Sequence, residues 1–426
     1  MCIRDRFRTE YRKFTDDARS MSTLQSTLMA QWIGASSQKV IVDYLDSPNF
    51  QEWDIAVFDF MLEISGMYLA DKWGVVVVFN SVTLSFTPML LPYWPFPVLG
   101  SQFPDNMTFT QRFVNTLILP FVHAVKFTVI LRNIAVIGTK QCPPVSRILY
   151  NGASVGHPLF INSVIGFEFP RSYPSPMTHY TGPLIPMTTH YSSIGIPLHI
   201  ANWLDLQKNS NGVILISMGS TAHLTHSMAQ AIIESVQQTN HSAIWSLGAS
   251  EQNILDGIQF NETQIFVVNW MPQKKVLNHP SIKIAMLHGG LGGIQEALSS
   301  KVPIICLPQM FDQRDNAVRV EVYHLGVTVD PQALSRDNLI VAINSIINQY
   351  SSYKKAVVKV CKLFKAAGGL QKVSELIEIY KVTGYSYLRN AQMHLESLLP
   401  YEHLFLFVSS LSAIVVGTFL KTYYFE

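Results

Sequence analysis

Five short apolar runs in the second half of the chain, Val213 to Ser217, Ala243 to Leu247, Ile265 to Asn269, Lys283 to Leu287 and Pro303 to Leu307, alternate with segments of helical period. Strands that alternate with helices are the pattern of a doubly wound α/β sheet, which gathers ligands at the carboxyl ends of its strands. A second unit of this kind lies upstream: the run Asp54 to Phe58, then Asp59, a helix-like stretch to Lys72, and a strand from Val75 to Phe79. Asp59 therefore sits at a strand end. With 426 residues the chain exceeds one typical hydrophobic core, so two domains are expected, joined by the Pro-, Gly- and Ser-containing stretch Pro183 to Pro197.

The block from Trp270 to Ala317 carries the chemistry. A strand leads into His288 and is followed by Gly289, Gly290, Gly292 and Gly293, with a helix expected to start near Gly293; the next strand is followed by Asp312 and Gln313. Glycines before a helix N-terminus offer unpaired backbone N–H groups and partial positive charge to a diphosphate without a basic residue or a metal. Each residue alone is weak: a lone His after a strand is usually structural, Gly pairs mark turns, and Trp270 and Glu296 alone read as core and solvated face. Their joint spacing within one stretch is what points to a nucleotide-sugar site. Gly219 and Ser220, after the strand Val213 to Ser217, read either as a simple turn or as a further edge of that site.

These residues resemble the UDP-glycosyltransferase family, the UDP-glucuronosyltransferase-like membrane enzymes of animals. The resemblance implies that Trp270 stacks on uracil and Gln273 hydrogen-bonds it. It further implies that His288, Gly289 and Gly290, with Gly292, Gly293 and Ser220, hold the diphosphate, that Glu296 grips the ribose hydroxyls, and that Asp312 and Gln313, with Asn316 beside them, hold the sugar. Leu287 stands where the family usually has Thr, which removes one hydroxyl donor worth about 0.5–1.5 kcal/mol. The stretch WDIAVFD, ending at Asp59, resembles the family's pattern around the Asp that orients a catalytic His. His223 and His226 follow Ser220 and are the further imidazoles near a nucleotide crevice.

A net charge of +2 gives no reason to propose a nucleic-acid partner, and no GxGxxG follows a strand to suggest a dinucleotide dehydrogenase. No cofactor and no metal are expected, because no Asp-x-Asp triplet offers a manganese site and Cys2, Cys142, Cys306 and Cys361 are too scattered for a metal or redox motif. Cys306, in an apolar run, reads as a buried hydrophobe. Hydrophobic residues make up 48% of the chain, and part of that surplus sits in Leu404 to Leu420, which has no charge and just reaches the length of a spanning helix. Asn106, Asn240 and Asn261 begin N-x-[ST] sequons, usable only if the body faces a secretory lumen. Residues 1 to 20 are rich in Arg and lack an apolar h-region, so neither a signal peptide nor the loop bearing the base His is visible, and the chain reads as N-terminally truncated. Residues 86 to 120, rich in Phe, Pro, Tyr and Trp, suit an apolar acceptor cleft or simple packing under a loop.

The expected architecture is therefore two facing Rossmann-like α/β domains of GT-B type and a C-terminal transmembrane helix. Its divisions are 1–200 for acceptor binding, 201–385 for the UDP-sugar, a membrane-proximal segment 386–403, the span 404–420 and a cytosolic tail 421–426. The expected function is inverting transfer of a glucuronosyl or glucosyl group from a UDP-sugar to a small lipophilic acceptor, at the endoplasmic reticulum membrane, with homo- or hetero-oligomers allowed. The alternative is a noncatalytic relative that binds UDP-sugar or partners other transferases.

Overall fold

The computed structural model describes residues 41–46, 53–59, 63–81, 102–104, 106–115, 157–169, 177–187, 192, 194–219, 224–309 and 312–384. In chain order these hold β1 (Ile55–Asp59), α1 (Glu63–Trp73), β2 (Val76–Ser81), β3 (Leu159–Ile161) and β4 (Thr178–Tyr180). There follow α2 (Leu198–Leu206), β5 (Val213–Ser217), α3 (His226–Gln238), β6 (Ser242–Ser246), β7 (Ile265–Val268), α4 (Gln273–Val276) and β8 (Ile282–Leu287). The chain continues through α5 (Leu291–Ser299), β9 (Ile304–Cys306), α6 (Gln313–Val322), β10 (Gly326–Thr328), α7 (Arg336–Asn348), α8 (Tyr350–Ala367) and α9 (Gly369–Thr383). The described residues fall into two compact units: the second comprises those within 165–169 and 182–369, and the other described residues form the first.

In the first unit the described strands form a parallel sheet in the order β1-β2-β3-β4. The period of two along β2 sorts its side chains onto both faces. Val77 and Phe79 pack with Met67 and Ala70 of α1, while Val76 and Val78, with Phe160 of β3, pack against Leu376 and Tyr380 of α9. Each such side chain contributes roughly 1.5–3 kcal/mol when fully buried. That apolar face explains a difference from the expected division at 201–385: residues 370–384 return to the first unit, and 182–200, with the linker stretch, belong to the second.

In the second unit the order is β10-β9-β8-β5-β6-β7, all parallel. Counted within this unit, that is the 3-2-1-4-5-6 winding of a Rossmann sheet, whose order reverses between β5 and β8. Ile214, Ile216, Trp245, Ile284 and Met286 fill the core with Ile232 and Val236 of α3 and Leu339 and Ile343 of α7. Side-chain caps set two helix starts: the Thr225 hydroxyl accepts from Met228 N at 3.3 Å for α3, and that of Ser335 from Asn338 N at 3.2 Å for α7. Cys306 is fully buried on β9 as a free thiol, as its apolar setting suggests. Among the described residues no helix is long and apolar enough to cross a membrane; the expected span 404–420, its flanks and the Arg-rich residues 1–20 lie outside them, as does most of 86–120.

Candidate active site

The reversal of winding places the ends of β5 and β8 side by side, with Ser217 in register with Leu287. The residue that follows each strand decides what stands there. After β8 comes His288, half-buried; after β5 the backbone turns through Gly219, whose φ of 69° favours glycine. A Cβ on Gly219 would lie 2.5 Å from His288 Cε1, and one on Gly290 would also collide with the imidazole. The ring is thus seated between two backbone segments that only glycine lets approach. Burial lowers the pKa of His288, opposed by a backbone hydrogen bond at Ser217, so the ring is neutral at neutral pH.

The helix begins earlier than its glycines suggest. Gly290 is the N-cap of α5, and the first intrahelical bond runs from Ile294 N to Gly290 O at 3.1 Å. Gly292 and Gly293 therefore lie inside the first turn, where backbone N–H groups have no intrahelical partner. The N–H groups of Leu291, Gly292 and Gly293 precede the hydrogen-bonded ladder, and a Cβ on Gly292 would meet nothing within 4 Å. Amides at the positive end of a helix, next to a seated imidazole and at a topological switch point, form an anion seat.

Beside this seat Gln273, the first residue of α4, donates from Nε2 to Glu296 Oε2 on α5 at 2.8 Å. Burial raises the pKa of Glu296, with the Gln273 bond and the charge of Lys274 opposing it. Lys274 is itself pushed down to about 8 by burial and donates to the Ser300 hydroxyl at 2.9 Å. Three residues before Gln273, Trp270 is 69% exposed, leaving most of its indole open to a stacking partner.

The pair Asp312 and Gln313 is fastened to the glycine loop from the other side. A Cβ on Gly289, where φ is 86°, would lie 3.0 Å from Gln313 O, so α6 starts in contact with that loop. Gln313 is buried and its Oε1 accepts from Gln309 N at 2.8 Å. Asn316 Nδ2 donates both to Gly289 O at 3.0 Å and to Asp312 Oδ2 at 2.8 Å. Asn316 is fully buried, so it braces the loop rather than reaching outward beside Asp312 and Gln313. Burial raises the pKa of Asp312, while the Asn316 bond and the charge of Arg319 lower it.

The structure thus gathers His288, Gly289, Gly290, Gly292 and Gly293 into one turn, pairs Gln273 with Glu296, and ties Asp312 and Asn316 to Gly289. Ser220 and His223 lie outside the described residues. His226 opens α3 with its ring Nδ1 2.9 Å from Ile254 O. Asp59, in the first unit, is exposed at the last position of β1, in register with Asn80 of β2. Lys274, Arg319 and Glu168 also enter this region without being singled out by sequence. Lys274 is the chain neighbour of Gln273 and Arg319 stands three residues after Asn316 on α6, but Glu168 lies far upstream with no motif around it.

The chain is similar to known proteins in sequence and in fold. A UDP-glucuronosyltransferase 3A2 of Mus musculus is 26% identical over 328 residues, covering 76% of this chain and 60% of that protein. A UDP-glucuronosyltransferase 1A10 of Homo sapiens is 26% identical over 340 residues, covering 77% and 60%. The chain therefore spans about 60% of the length of these curated relatives. Among solved structures, the glycosyltransferase of kitacinnamycin matches with a TM-score of 0.59 at 18% identity, covering 85% of this chain and 84% of that one. Os79 from O. sativa in complex with UDP matches with a TM-score of 0.56 at 18% identity, covering 82% and 83%. These likenesses identify the fold as the GT-B α/β fold with parallel sheets. The family model for UDP-glucoronosyl and UDP-glucosyl transferase matches residues 59–375, and the chain belongs to that family.

Proposed function

We propose that the protein is a UDP-glycosyltransferase that moves a glucuronosyl or glucosyl group from a UDP-sugar onto a small lipophilic acceptor with inversion. The observation that carries this reading is the anion seat at the β5/β8 switch point, where His288 is packed between Gly219 and Gly290 ahead of the free amides of α5. There the diphosphate takes the amides and His288, uracil stacks on Trp270 beside Gln273, Glu296 accepts from the ribose hydroxyls, and Asp312 and Gln313 hold the sugar. Ser220 joins the diphosphate contacts. The family and its relatives named for glucuronosyl transfer support this donor class, as does the UDP held by Os79.

In the reaction the acceptor oxygen forms a bond to the anomeric carbon as the bond from that carbon to the UDP oxygen breaks. Where the base His is present, the hydroxyl proton passes to its imidazole, which Asp59 orients, and UDP leaves with its new charge on the helix amides. No metal is required, because backbone donors carry the diphosphate. Leu404 to Leu420 anchors the protein once in the endoplasmic reticulum membrane with its body lumenal and 421–426 cytosolic.

The test is turnover of UDP-glucuronic acid and UDP-glucose with a panel of lipophilic phenols, with the product's anomeric configuration read by NMR. With a His-bearing loop supplied ahead of Asp59 an inverted conjugate is expected, and there Asp59→Asn should cut turnover by orders of magnitude once the orienting charge is lost, whereas in the 426-residue chain alone the same substitution should change little. Donor binding without any conjugate in a chain that carries the His-bearing loop would overturn transfer in favour of a UDP-sugar-binding partner protein.

A further inference from the structure

Behind the donor loop runs a chain of buried polar groups. Arg319 on α6 and Glu168 are 2% and 3% exposed, and Arg319 Nη2 lies 3.6 Å from Glu168 Oε2. Phe169 carries the guanidinium over its ring at 5.4 Å from the centroid. From there Arg319 Nη1 donates to Asn316 Oδ1 at 2.7 Å, and Asn316 Nδ2 donates to Asp312 Oδ2 and Gly289 O.

The chemistry of the links gives this chain a direction. A guanidinium carries donors only, so it accepts no end of the amide but the oxygen. The nitrogen end is thereby turned toward two acceptors, a carboxylate and a carbonyl. Were the amide to flip, its oxygen would face both acceptors and repel them at a fully buried site. The ion pair with Glu168 in turn fixes the guanidinium, since a buried charge stays where its counter-charge is.

Resting on the reading in which Asp312 holds the donor sugar and Gly289 belongs to the diphosphate loop, we propose that Arg319, anchored by Glu168, is a positioning residue. It sets the polarity of the Asn316 amide and through it aims the Asp312 carboxylate at the sugar. Neither Arg319 nor Glu168 touches the donor. The effect of Arg319 is felt at the sugar more than at UDP, because the amides of α5, the His288 ring and Gln273 are held by other contacts.

The experiment compares calorimetric affinities for UDP and for UDP-glucose and UDP-glucuronic acid on the full chain and its variants, with thermal unfolding as the control for folding. In Arg319→Gln the ratio of UDP-sugar to UDP affinity should fall by about tenfold, the size expected when a charged hydrogen bond is lost, and Arg319→Lys should restore part of it. A purely structural role would lower both affinities together and leave the ratio in place, which would overturn the proposal. If Arg319→Gln does not fold, Glu168→Gln carries the test: a ratio lowered by about threefold is expected from the loosened guanidinium, and an unchanged ratio overturns the proposal. Asp312→Asn separates the two levels of the argument. If it leaves the ratio unchanged, the sugar-holding role of Asp312 fails and the proposal with it; if it lowers the ratio while Arg319→Gln does not, only the positioning role of Arg319 fails.

Discussion

At the scale of single residues the site is built by what is missing as much as by what is present. Gly219 and Gly290 leave the space that the His288 ring fills, and Gly219 does so at φ 69°. Gly219→Ala should therefore cost about 1–2 kcal/mol of stability from the left-handed backbone alone and displace the imidazole besides. Chemical denaturation together with UDP titration checks this; wild-type stability and affinity in the variant would show that the ring has room to spare. Glu296 gives a pH dependence. Burial raises its folded pKa above the ordinary 4.5, so its contribution to stability is fully present below that value and is lost as the pH rises through the raised pKa. Accepting from ribose hydroxyls favours the ionised form, so UDP affinity should fall on acidification through the same window. Glu296→Gln should remove that dependence, and because His288 titrates in both proteins, the difference between their profiles isolates Glu296. Identical profiles would contradict its place in the site.

At the scale of elements, the five runs of the second half became β5 to β9 with no end moved by more than one residue, because apolar runs alternating with helices pack as one parallel sheet. Local spacing in the sequence singled out Trp270, Gln273, His288, Glu296 and Asp312 together, and the structure pairs Gln273 with Glu296. Other elements were harder to read. β3, β4 and β10 are three residues each, too short for a period to register. α8 was readable in principle: Tyr353, Val357, Val360, Cys361 and Phe364 are buried at helical spacing, yet its many lysines obscure the stripe. The link from Glu168 to Arg319 spans distant sequence and has no local signature. α9 returns to the first unit because its Leu376 and Tyr380 cover Val76, Val78 and Phe160, while Tyr380 OH meets His179 Nε2 at 2.6 Å. Leu376→Ala should accordingly destabilise the protein by about 2–5 kcal/mol. Differential scanning calorimetry measures it, and a loss under half a kilocalorie would mean that this face is held by other contacts.

At the scale of the whole molecule, the family assignment and the switch-point seat converge on donor binding, and the rest of the reaction is built on that. Everything proposed for the acceptor, the base and the membrane presupposes that the second unit takes a UDP-sugar through backbone amides. Calorimetric titration of UDP into the full chain with a chelator in excess tests this most directly. The account predicts binding that chelation leaves unchanged and that Glu296→Ala weakens by roughly 1.5–3 kcal/mol, more than tenfold in affinity, in a variant that still folds. No binding by the wild-type chain, binding that appears only with a divalent metal, or a folded Glu296→Ala variant with undiminished affinity would contradict it.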